Sequence, residues 1–147
     1  MKTWDVTNTV GAIALISILA LASTSCHKPI AAMVGQPFEL PVRRAAHLSK
    51  TDLDLYFRRV VADSRCPVNA QCVTAGFATV ALEGRILKGP AESFEVHLPG
   101  GAAPDDSIPW KPYDGYRIRL LRLDPAPVAG STPDTTGYVA TLIVEKR

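Results

Sequence analysis

What most constrains the fold of this chain is the spacing of its apolar residues beyond position 36. They recur at every second residue, in short runs interrupted by Pro, Gly and Asp. A period of two places alternate side chains on opposite faces of an extended strand, so each run can bury one face and leave the other wet. Beyond position 36 no segment holds an apolar period of 3.6 long enough to make an amphipathic helix.

Six runs read as strands. Phe38 to Val42 is flanked by Pro37 and contains Pro41, which marks an edge or irregular element. In Leu53 to Ala62 the residues Leu53, Leu55 and Phe57 share a face, and the doubled Arg58-Arg59 then breaks the alternation, which predicts a bulge. Phe77 to Glu83 aims Ala78, Val80 and Leu82 at a core, with Thr79 and Glu83 facing out. Phe94 to Leu98 does the same with Phe94, Val96 and Leu98, leaving Glu95 and His97 outside. Tyr116 to Leu123 buries Tyr116, Ile118 and Leu120, and the adjacent Leu120-Leu121 predicts a second change of phase. Tyr138 to Val144 is apolar on both faces and reads as a central strand. Short strands joined by turns without helical crossovers indicate an all-β domain, an antiparallel β-sandwich or small β-barrel of about six to eight strands. Loops are expected to be long between Pro90 and Pro133, which hold eight of the twelve prolines.

The N-terminus has another character. Lys2 followed by the apolar stretch Gly11 to Ala22 has the charge and length of a secretory signal, and is short for a membrane span. Ser23, Thr24 and Ser25 then lead to Cys26, a junction that resembles the lipobox of bacterial lipoproteins, where the cysteine is acylated and becomes the new N-terminus. The usual Leu three residues before the cysteine is replaced here by Ser23. A cut after Ala20-Leu21-Ala22 is the alternative, and it leaves Cys26 as an unlipidated thiol. The expected organisation is a signal peptide over 1–25, a lipidated Cys26 with a tether over 26–35, and one β domain over 36–147. His27, in place of Asp, follows the cysteine, which by analogy with enterobacterial sorting favours the outer membrane. Processing leaves about 120 residues, enough for one core.

Of the three cysteines, Cys66 and Cys72 lie close together in CPVNAQC, and Cys26 stands apart. In an oxidising compartment the close pair is the natural disulfide, and acylation removes the odd thiol. Zinc is the other use of neighbouring cysteines, but His27, His47 and His97 have no motif spacing with the pair, so no metal or cofactor is expected. A net charge of +2 is far below the basic surplus of dedicated nucleic-acid binders.

The segment Asp63-Ser64-Arg65-Cys66-Pro67, followed by Cys72, Ala75 and Gly76, resembles the signature of a family of small uncharacterised bacterial exported proteins and lipoproteins. A second part of the likeness is Gly115, Tyr116, Ile118, Leu120, Leu123 and Pro125. The chain departs from the pattern at Thr74, where the family often has Trp, and at Phe77, where it often has a polar residue. The resemblance implies a β-rich fold and an envelope location over about residues 36 to 146, and no reaction.

Nucleophile-elbow glycines, phosphate-cradling loops and paired-histidine motifs are missing from the sequence, so an enzyme is not expected. His97 has outward parity and reads as a solvated strand histidine, and Asp105-Asp106 read as turn residues. Asp63 and Arg65 are candidates for loop recognition, with turn stabilisation as the competing role. Trp110 either covers an open end of the sandwich or anchors a partner. Arg58, Arg117 and Arg119 have outward parity, and if their strands share a sheet they form a ridge facing anionic lipid or an acidic envelope protein. The expected function is that of a lipid-anchored, non-enzymatic binding or structural accessory module, with membrane contact through the N-terminal lipid. The alternative is a soluble periplasmic or secreted β-barrel binding a small ligand in its mouth.

Overall fold

The computed structural model describes residues 27–101, 105–132 and 134–147. The expected signal segment and Cys26 lie outside the described residues. Among the described residues, nine strands form two sheets that pack face to face. One sheet contains β1 (Ile30–Met33), β3 (Ala45–Ser49), β4 (Leu53–Asp63), β5 (Phe77–Ile86) and β6 (Glu92–Pro99), in the spatial order β1-β3-β4-β5-β6. The other contains β2 (Phe38–Pro41), β7 (Lys111–Tyr113), β8 (Tyr116–Asp124) and β9 (Val139–Lys146), in the order β2-β9-β8-β7. Neighbours are antiparallel except β1 and β3, which run parallel. The domain is therefore a β-sandwich, with the two sheets separate rather than closed into a barrel.

Period-two patterning accounts for the core. Leu53, Leu55 and Phe57 of β4, Ala78, Val80 and Leu82 of β5, Ile118 and Leu120 of β8, and Ala140, Leu142 and Val144 of β9 are all fully buried between the sheets. Burying a side chain of this size stabilises the fold by roughly 1.5–3 kcal/mol. The expected phase breaks are present: β4 slips register against β5 between Phe57 and Arg59, and β8 slips against β9 between Leu120 and Arg122. A further slip separates Val60 from Ala62. β9 lies between β2 and β8, the central place its two apolar faces require.

Three strands carry too little pattern to be read from sequence. β1 and β3 are short and rich in alanine, a weak strand former, and β7 is three residues long with Pro112 in its middle. The expected tether over 26–35 is corrected accordingly. Ile30–Met33 is a strand, paired with Ala46–Ser49, so the described linker is only His27 to Pro29. Thr79 also departs from expectation: it has the outward parity assigned to it, but its cross-strand neighbour His97 binds it and only 4% of it is exposed.

The crossing from β2 back to the five-stranded sheet at β3 is a sharp corner. Val42 N–H donates to the carbonyl of Tyr138, the residue before β9, and the next N–H, that of Arg43, donates to the carbonyl of Phe57 in β4 of the other sheet. Arg43 makes this turn with a positive φ of 61°.

Candidate functional site

The cysteine segment forms the long connection between β4 and β5, and nearly every residue of its motif has a bracing role. The Arg65 guanidinium clasps the Asp63 carboxylate in a two-pronged pair, Nε to Oδ1 at 2.8 Å and Nη2 to Oδ2 at 2.7 Å. Its remaining donors reach across to the other sheet, where Nη1 donates to the Leu123 carbonyl at 2.6 Å and Nη2 to that of Pro125 at 3.0 Å. The two side chains are only 11% and 8% exposed. Tyr138, 5% exposed, stands over the same carboxylate with its hydroxyl 3.4 Å from Asp63 Oδ2. Burial, then the negative charge of Asp63, raises the Tyr138 phenol above its ordinary value of 10.0.

Ser64 pairs with Phe77 through its backbone N–H and its hydroxyl. Cys66 and Cys72 stand at disulfide distance, their Cα atoms 5.8 Å apart. Gly76 takes a φ of +68°, and a Cβ there would run into the Ser64 carbonyl, so glycine is required by both conformation and space. The loop is also fastened to the segment after β8. Val68 N–H donates to the Pro127 carbonyl at 3.0 Å, and the Asn69 side chain accepts from Ala129 N–H at 2.7 Å while donating to its carbonyl at 3.4 Å.

Of the two roles weighed for Asp63 and Arg65, these contacts give them the stabilising one rather than presentation to a partner. Four of the five N–H donors of the Arg65 guanidinium are bonded inside the protein, and the pair clamps the cysteine loop to the opposite sheet. What the loop does present is uncharged. Val68 is 70% exposed, Val73 is fully exposed and Phe77 is 50% exposed, and no charged residue occurs from Cys66 to Phe77. Asn69 and Tyr138 were not among the residues singled out from sequence, because their partners lie 60 and 75 residues away in the chain.

The arginine ridge is corrected by topology. Arg58 lies on β4 and Arg117 and Arg119 lie on β8, in different sheets. Arg58 is bonded to Glu83, and Arg117 to Glu145 through Nε at 2.9 Å. Trp110, just before the edge strand β7, lies beneath both β8 arginines, with Arg119 4.0 Å and Arg117 4.5 Å from its ring centre. Each such contact contributes about 0.5–1 kcal/mol at an exposed site. Trp110 therefore covers the outer face of its own sheet rather than an end of the sandwich.

Tyr116 does not converge with Trp110 and His97. Tyr116 borders an open depression of about 350 Å³ with Ser49, Lys50, Thr51 and Lys146. His97 and Trp110 border another of about 140 Å³. Neighbouring Tyr113 stacks on Phe94, ring centres 4.8 Å apart, and bridges the sheet edges. Among the described residues, no group of three or more His, Cys, Asp or Glu is placed to hold a metal ion, and no helix is long and apolar enough to cross a membrane. The chain matches no family model, no curated protein and no solved structure.

Proposed function

We propose that this protein is a lipid-anchored module of the bacterial cell envelope that works by binding an envelope protein, without catalysis, and that its binding surface is the sandwich end built by the cysteine loop. Its envelope location is supported by the export segment and the lipobox-like junction at Cys26. The binding reading is carried by one observation: Arg65, Asp63, Ser64, Asn69 and Gly76 are consumed in holding the loop rigid, whereas Val68, Val73 and Phe77 are held out in water. A pre-ordered loop loses little entropy on binding, and exposed apolar side chains supply the burial that favours it.

Photocrosslinkers placed at Val68, at Val73 and, for comparison, at exposed Lys88 test this reading in a native-like host. The expected result is one discrete adduct shared by positions 68 and 73, absent from position 88 and lost in the Cys66→Ser, Cys72→Ser variant. The same adduct from position 88, or indifference to loss of the cysteines, overturns it. A soluble ligand-binding protein is the competing reading, and its support is the open depression beside Tyr116.

A further inference from the structure

The corner between β2 and β3 gathers cations from three places in the sequence. Arg43 and Arg44 sit at the turn into β3, and their backbone groups bond to Phe57, directly before Arg58 and Arg59 of β4. On the other side, the Arg44 guanidinium donates to the Lys28 carbonyl at 3.2 Å, which ties the segment leading into β1 to the same corner. Lys28, Arg43, Arg44, Arg58 and Arg59 thus lie around the end of the five-stranded sheet where β3 begins alongside β4.

The corner is short of acceptors. Of the carboxylates that strand register brings toward it, Asp54 and Glu83 are engaged by His47 and Arg58, and Glu95 stands two strands from Arg59, across Ala81. Among the described residues, Lys28, Arg43 and Arg59 are exposed and their side chains take part in no ion pair or hydrogen bond. Arg44 Nε is buried with no acceptor. By contrast Arg65, Arg117 and Arg122 each hold a carboxylate.

We infer that this corner docks on an anionic phospholipid bilayer. The inference rests on the lipid-anchor reading for its geometry. From Cys26 only residues 27–29 intervene before β1, so the chain spans at most about 14 Å from Cys26 to Ile30. That reach is comparable with the screening length of about 10 Å at 0.1 M salt, so an acyl chain on Cys26 holds Lys28, Arg43 and Arg59 within the field of the headgroups. The lipid supplies attachment and the corner supplies orientation, with phosphodiester oxygens as the missing acceptors.

The test uses the mature chain with Cys26→Ser, which carries no lipid, so it reads the corner alone; the anchor itself is read separately from the mass of the native protein. Sedimentation with vesicles of phosphatidylcholine, with and without phosphatidylglycerol, is measured across a salt series. The expected result is binding that requires phosphatidylglycerol, weakens with salt, and falls about five-fold for each of Lys28→Gln, Arg43→Gln and Arg59→Gln. Arg117→Gln on the opposite sheet is expected to leave it unchanged. Equal binding to neutral vesicles, insensitivity to the three substitutions, an equal loss with Arg117→Gln, or displacement by millimolar inorganic phosphate overturns the inference. Circular dichroism of each variant separates loss of binding from loss of fold.

Discussion

The cysteine-loop end and the corner at Arg43 are both built around arginine, and they use it in opposite ways. At the loop end Arg65 is almost fully withdrawn from solvent and bonded to one carboxylate and two carbonyls, and the surface left outside is apolar and uncharged. At the corner Arg43 and Arg59 are exposed with no carboxylate to hold. A buried, fully bonded ion pair is costly to break, whereas an exposed lone cation contributes almost nothing to stability and leaves its charge available to a partner. The first region holds the fold, and the second is where charge can act on something outside it.

The comparison is broken most directly at Arg65. Arg65→Ala leaves the Asp63 carboxylate buried without its partner and strips donors from the Leu123 and Pro125 carbonyls, so a loss of about 3–5 kcal/mol is expected in denaturant unfolding. A loss under about 1 kcal/mol shows that the clamp is not structural. Next in size is the cysteine pair. Closing so short a loop gives about 2 kcal/mol through the entropy of the unfolded chain, so Cys66→Ser with Cys72→Ser is expected to lower stability by about that much and by less than Arg65→Ala. The reverse order makes the crosslink, and not the clamp, the main brace.

A pH scan sharpens the same contrast. The folded state raises the Tyr138 phenol, first through burial and then through Asp63, so it favours the protonated form. The associated stability is full below pH 10 and is lost as pH rises from there through the folded-state value. Tyr113, raised by burial and by Glu92 and Asp114, acts in the same direction. Tyr138→Phe is expected to reduce the alkaline loss, and an unchanged profile removes Tyr138 as a cause. The smallest effect belongs to the corner: Arg43→Gln with Arg59→Gln is expected to change stability by less than about 0.5 kcal/mol. A larger loss means that those arginines serve the fold.

Sequence pattern reached the sandwich because alternation in β4, β5, β6, β8 and β9 is enforced by burial on one face. It did not reach β1, where Ile30-Ala31-Ala32-Met33 alternates weakly and pairs with a strand equally poor in signal. The cysteine motif was legible as a braced loop, since Asp63, Arg65, Cys66 and Cys72 are near neighbours in sequence. That Arg65 reaches Leu123, and Asn69 reaches Ala129, depends on strand order, which no local pattern encodes. The expected arginine ridge failed for the same reason. Parity placed Arg58 and Arg117 on outer faces but not on which sheet, and the cations that do gather around Arg58 and Arg59 come from Lys28 and from Arg43 and Arg44 at the turn before β3.

The anchor is tested most directly by the intact mass of the protein recovered from the membrane fraction of a native-like bacterial host, with and without reductant. The account predicts a diacylated or triacylated chain beginning at Cys26, heavier after reduction by the two hydrogens of one disulfide. An unmodified chain beginning at Ser23 in the soluble fraction would contradict it.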